Sequence, residues 1–424
     1  MILSLALYNF YDGIHMVKTV TNAPVNGVID ESLGICNANW DHPSHLAYSQ
    51  LHMDRMMPTV HLEPGTQSIP LQRAARPLAL DKIAFTDPLG GRAISTEQFL
   101  DRRLYNDALL VFHRGEVVHE SYRNGMSADD HHVQHSTTKS LVAMLVGIAM
   151  DEGVMSAEAP IANYIPELGD YPEWAEVRLQ HVLDMALDSP YAEHYDDPDC
   201  GYFDYARAVG YYPAAEGRTP AGARAWLTSL RMRPRGTPGS RFNYTSPLTN
   251  ALMIAVGEAY GESVLSLLES RIYQRIGAVS PGWFNTDHLG VPIAEGQFSL
   301  RLEDFARWAS LMINNGRNLA GDQVVPPGFV EDTLAPRESS RQAFARSEYG
   351  EVLPGAQYRN QFWVTHPEAR QCAMLGIHGQ FAWFDLNREL MICGYGSYPV
   401  QVDPLMTDCL QQLWLNVASA CDRR

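Results

Sequence analysis

The chain has 424 residues, 46% of them hydrophobic, and a formal charge of -17. That is more chain than one hydrophobic core usually organises, so two structural units are expected. The acidic balance argues against nucleic acid and anionic membrane as partners, because like charge repels at long range.

The N-terminal run MILSLALYNFYDG lacks a basic flank and a small-residue cleavage site, so it reads as part of the mature chain of a cytoplasmic protein. No stretch approaches the roughly eighteen apolar residues of a membrane span. Residues 1–77 are turn-rich, with no sustained period, yet too apolar and aromatic for disorder. An N-terminal extension packed on the body of the protein is expected. ALLVFHRGEVVHESYRNG then carries two β-prone runs around Arg114-Gly115, a hairpin signal.

From Ser136 to Glu152 apolar residues recur at three-and-four spacing up to Gly153, which predicts a buried helix. Helical patterns continue in LQHVLDMAL, AGARAWLTSL and SPLTNALMIAVGEAYG, and a further helix is expected over 302–316. Period two returns in YRNQFWVTH, GIHGQFAWFD and ELMICGYGSY, with a turn at Asp385–Arg388 and a last helix in LMTDCLQQLWLNVASA. The expected fold is therefore α/β (α+β). An antiparallel sheet flanked by helices takes in 78–125 and 292–424, and a mostly helical unit at 126–291 is inserted into it. The junction of the two is the natural cleft.

Lysine stands only at positions 18, 82 and 139, arginine supplying the other cations. A desolvated ammonium can lose its proton near neutral pH and a guanidinium cannot, so a retained lysine invites a chemical reason. Lys139 alone has serine at i-3. Residues three apart share a helix face, so Ser136 and Lys139 can meet where unpaired N–H groups and the positive end of the helix dipole gather. An ordinary helix start, with Ser136 as cap, is the competing reading. Two further elements stand out. Tyr244-Thr245-Ser246 forms a polar turn before a helix, where a tyrosine could share a proton network with the lysine or merely pack a loop. Gly376-Ile377-His378-Gly379-Gln380 opens an apolar strand, where glycine lets a ligand approach the backbone or marks a bulge.

In this order, S-x-x-K, Y-T-S and G-I-H-G-Q resemble the motifs of the serine-reactive β-lactamase and penicillin-binding-protein family. The nearest likeness within it is to the 6-aminohexanoate-dimer hydrolases and related carboxylesterases, over roughly residues 78–420. The resemblance implies a β-lactamase-like fold and a serine hydrolase of small amides or esters, including 6-aminohexanoate-type linear oligomers. A carboxylesterase, an acyltransferase and a non-catalytic binding protein on the same fold are the alternatives. It implies Ser136 as nucleophile, Lys139 as base and Tyr244 as proton relay. The oxyanion hole would use the backbone N–H of Ser136 and of Ile377, with Gly379 as competitor. Tyr195 would be a loop tyrosine closing over the substrate, and Tyr191, His378 and Gly379 are substrate-binding candidates. The chain lacks the K-T-G lysine of β-lactamases, which weighs against β-lactams and cell-wall peptides as substrates.

No cofactor is expected. The scattered cysteines lack ligand spacing, and His131, His132 and His135 read as solvated loop residues, so no metal is expected either. The expected partner is a small-molecule amide or ester, with no nucleic acid or membrane, and a homodimer is a candidate assembly.

Overall fold

The computed structural model describes residues 27–229 and 232–424; the apolar N-terminal run and Lys18 lie outside them. Eleven strands carry the architecture: β1 (Thr59–Leu62), β2 (Asn106–His113), β3 (Glu116–Tyr122), β4 (His132–Val133), β5 (Gly282–Asn285), β6 (Phe298–Leu300), β7 (Gln357–Arg359), β8 (Phe362–His366), β9 (Gln371–Gly376), β10 (Gln380–Asp385) and β11 (Leu390–Gly396). Four helices matter for the site: α1 (Thr138–Asp151), α2 (Pro247–Tyr260), α3 (Leu302–Ile313) and α4 (Pro404–Asp422).

A seven-stranded antiparallel sheet runs β7-β8-β9-β10-β11-β2-β3. The hairpin at Arg114-Gly115 forms as expected, both residues taking the positive φ of a two-residue turn that matches strand twist. YRNQFWVTH is two strands and not one. Asn360 and Gln361 both take positive φ, and Arg359 pairs with Phe362 across the turn. GIHGQFAWFD is likewise interrupted. Ile377–Gly379 is the connection between β9 and β10, with His378 at φ 61°.

The strand alternation explains how the sheet buries both faces. Tyr395 of β11 stacks on Phe305 of α3, whereas Trp383 of β10 stacks on Trp414 of α4, 5.8 Å away. Trp383 pairs with Ile392, so Trp383 and Tyr395 point to opposite faces, one under α3 and the other under α4. Helix α1 is buried from Thr138 through Ala149 and packs against α2, which is buried from Pro247 through Val256. Gly153 at φ 73° ends the α1 region.

A second sheet, β1-β5-β6-β4, has no signal in the sequence pattern because its strands are two to four residues long. It joins the N-terminal segment to both ends of the helical region, so residues from 59 on are built into the body. The histidines before Ser136 are not solvated. His131 is half-buried and stacks on Trp283 at 4.0 Å, while His132 and His135 are fully inside. Among the described residues no single helix is long and apolar enough to cross a membrane.

Candidate active site

Strand β4 delivers the chain to a single 3-10 turn, His135–Thr137, from which α1 departs. His135 takes φ 44°, a left-handed conformation that a non-glycine residue adopts only under constraint. Neither the turn nor α1 has a side-chain cap, so Ser136 is not an ordinary helix start. Lys139 Nζ lies 2.7 Å from Ser136 Oγ and 2.7 Å from the Glu295 carbonyl oxygen. Lys139 is 1% exposed and Ser136 is half-buried and reachable. Desolvation pulls the Lys139 ammonium down to about 8, against the opposing pull of Glu193 and Glu295.

Tyr244 lies just ahead of α2, with its ring centroid 5.1 Å from Lys139 Nζ and with Ser136 among the groups that act on its hydroxyl. Burial pushes the phenol well above its ordinary value, so it stays protonated. Phe242, Tyr349, Tyr358 and Trp363 surround it and fix its ring. Across the cavity Tyr195 donates to Glu193 Oε1 at 2.6 Å, Tyr191 donates to Oε2 at 3.0 Å, and Ser246 binds the same carboxylate through Oγ at 2.8 Å and N at 3.1 Å. Glu193 thus ties the Tyr191–Tyr195 loop to the Y-T-S turn. The sequence reading passed over it, although its place between two candidate tyrosines was the available signal.

The β9 end adjoins the nucleophile turn. A Cβ at Gly376 would sit 3.1 Å from the Ser136 backbone N and 2.9 Å from the Gln134 oxygen. Only glycine permits that approach, and it brings Ile377 to the cavity wall beside Ser136. Neither His378 nor Gly379 lines the cavity that holds Ser136. The His378 ring is fully buried, with Nδ1 2.8 Å from the Tyr398 oxygen, and burial lowers it to about 4. Gly379 is buried as well, with Leu104, Gly396 and Met406 packed over it.

Ser136, Glu193, Tyr195, Tyr202, Tyr205, Glu295 and Ile377 line a narrow cavity of about 30 Å³, room for about two waters. A neighbouring space of about 200 Å³ is walled by Tyr191, Glu193, Asn243, Tyr244 and Tyr349. Glu295 has no motif to announce it; its carboxyl is raised to about 7 by burial, with Lys139 opposing. A wider groove of about 920 Å³ includes none of the candidate catalytic residues, and Arg359 in it is already paired with Asp184 and Asp332 at 2.6 Å each. Among the described residues no group of three or more His, Cys, Asp or Glu could hold a metal ion.

A half-buried serine, a desolvated lysine on the same helical turn and a protonated tyrosine, held under a helical unit inserted into an antiparallel sheet, define a serine hydrolase. The chain belongs to the Beta-lactamase family, whose model matches residues 95–393. It is 30% identical over 365 residues to the 6-aminohexanoate-dimer hydrolase of Paenarthrobacter ureafaciens, covering 85% of this chain and 88% of that one. Among solved structures it is similar to a presumed 6-aminohexanoate-dimer hydrolase from Bacillus anthracis, with TM-score 0.79, 23% identity, and 92% and 98% of the two chains covered. A family VIII carboxylesterase shares the fold, with TM-score 0.53, 14% identity, and 76% and 95% covered.

Proposed function

We propose that the protein hydrolyses linear amides through an acyl-enzyme on Ser136. The observation that carries this is the 2.7 Å approach of a buried Lys139 Nζ to Ser136 Oγ. Neutral Lys139 takes the Ser136 proton as Oγ attacks the carbonyl carbon, and the backbone N–H groups of Ser136 and Ile377 hold the oxyanion. Tyr244, kept protonated by burial, donates toward the leaving group and cannot be the base. As the tetrahedral species collapses, the C–N bond breaks and the amine leaves with a proton. Lys139 passes the proton it took from Ser136 on to Tyr244, replacing the one given to the amine, and is neutral again. Water then attacks the acyl carbon, giving its proton to Lys139, the acyl C–O bond breaks, and that proton returns to Ser136 Oγ.

An amide nitrogen must be protonated to depart. Tyr195, at the cavity with its hydroxyl on Glu193, is a second donor suited to that task, which favours amides over esters. The name of the Paenarthrobacter relative, a hydrolase of a 6-aminohexanoate dimer, supports the same choice. The test is a panel of matched amide and ester substrates with a fluorophosphonate label. Ser136→Ala should lose both labelling and turnover, and Tyr195→Phe should lose amide turnover selectively. Labelling that survives in Ser136→Ala would sink the proposal, and equal amide and ester loss in Tyr195→Phe would remove the amide preference.

A further inference from the structure

The segment around Trp40 and Gln50 precedes the residues matched by the family model, yet it packs directly behind the proposed site. Trp40 is fully buried. Its ring centroid lies 5.8 Å from His135, 4.8 Å from Tyr211 and 6.1 Å from His378, and the Tyr211 hydroxyl reaches His135 Nδ1 at 3.1 Å. His135 immediately precedes Ser136 and His378 immediately follows Ile377. Both take left-handed backbone conformations, φ 44° and 61°, which persist only when the surroundings over-determine them. One indole therefore wedges the two residues whose neighbours supply the proposed oxyanion donors.

Gln50 makes a parallel connection. Its carbonyl accepts from Val133 N at 3.0 Å, and its Oε1 accepts from Gln380 Nε2 at 3.2 Å. Gln380 Nε2 also reaches the Ile377 oxygen at 3.2 Å. Ser49 Oγ donates to the Trp40 carbonyl at 2.6 Å, so Trp40 and Gln50 are held as one unit.

Building on the Ser136 mechanism, we infer that Trp40 and Gln50 are positioning residues that fix the two oxyanion donors, making the N-terminal segment part of the catalytic apparatus. Trp40 acts by shape. Its Nε1–H has no acceptor among the described residues, so phenylalanine should substitute where leucine cannot. A displacement of about 1 Å at such a site costs about a hundredfold in rate.

The experiment measures kcat, KM and the rate of acylation by a p-nitrophenyl ester for Trp40→Leu, Trp40→Phe and Gln50→Leu, with folded fraction followed by circular dichroism. Trp40→Leu should lose about ten- to a hundredfold in kcat and in acylation rate with KM changed less than about twofold, and Trp40→Phe should recover most of the loss. Folded Trp40→Leu with wild-type kcat, or a loss confined to KM, overturns the inference. If Trp40→Leu does not fold, Gln50→Leu carries the test with the same kcat pattern, and wild-type kcat there overturns it. Failure of the nucleophile assignment is separate, because it appears as turnover surviving in Ser136→Ala.

Discussion

Raising the pH from 7 to 9 should increase the rate of Ser136 acylation about tenfold. The folded-state value for Lys139 is about 8, so its neutral form grows from about 9% to about 91% across that window. Lys139→Arg keeps a permanent charge in the same place and should lose at least about a hundredfold, the range of a general base. The same displacement, from 10.5 to about 8, has a stability counterpart. Folding must desolvate the ammonium at a cost of about 3 kcal/mol, fully present below pH 8 and gone once pH passes the unfolded value of 10.5. Lys139→Met should therefore gain up to about that much over wild type below pH 8, less the lost hydrogen bond to the Glu295 carbonyl. The gap should close by about pH 10.5. Stopped-flow acylation by a p-nitrophenyl ester and urea unfolding at pH 6–10.5 measure the two effects. A pH-independent acylation rate together with a pH-independent stability gap would refute a desolvated lysine base.

Glu295→Gln removes a carboxylate that raises Lys139, so the midpoint of the acylation profile should move to lower pH; an upward move would contradict the geometry. Gly376→Ala places a methyl group 2.9 Å from the Gln134 oxygen and 3.1 Å from Ser136 N. It should cost about a hundredfold in kcat with little change in KM, and an unperturbed kcat would exclude β9 from the oxyanion site. Gly147→Ala, far from the chemistry, drives a methyl to 2.5 Å from the buried Phe329 ring. The clash of about 1–3 kcal/mol should outweigh a helix-propensity gain of about 1 kcal/mol, lowering thermal stability while the folded fraction keeps its kcat. A higher melting temperature would show that Phe329 gives way.

The elements with strong periodicity were legible: the long strands β2, β10 and β11, the helices α1 to α4, and the turn at Arg114-Gly115 whose two positive φ values suit the strand twist. Short strands were not, since two to four residues cannot show a period. Nor were the breaks at Asn360-Gln361 and His378, where left-handed backbone is enforced by packing and not by glycine.

At the site, the sequence alone determined the pairing of Ser136 with Lys139, because three residues along a helical turn is a local geometry that the chain carries with it. It also placed Tyr244 directly before a helix. What only the tertiary structure decided is everything that depends on partners distant in the chain. Lys139 is desolvated by surrounding elements and anchored on Glu295, 156 residues away. Glu193 becomes the hub of a loop and a turn, and Trp40 reaches both His135 and His378. Burial and long-range contact are properties of the assembled fold, so no spacing within the motifs could announce them.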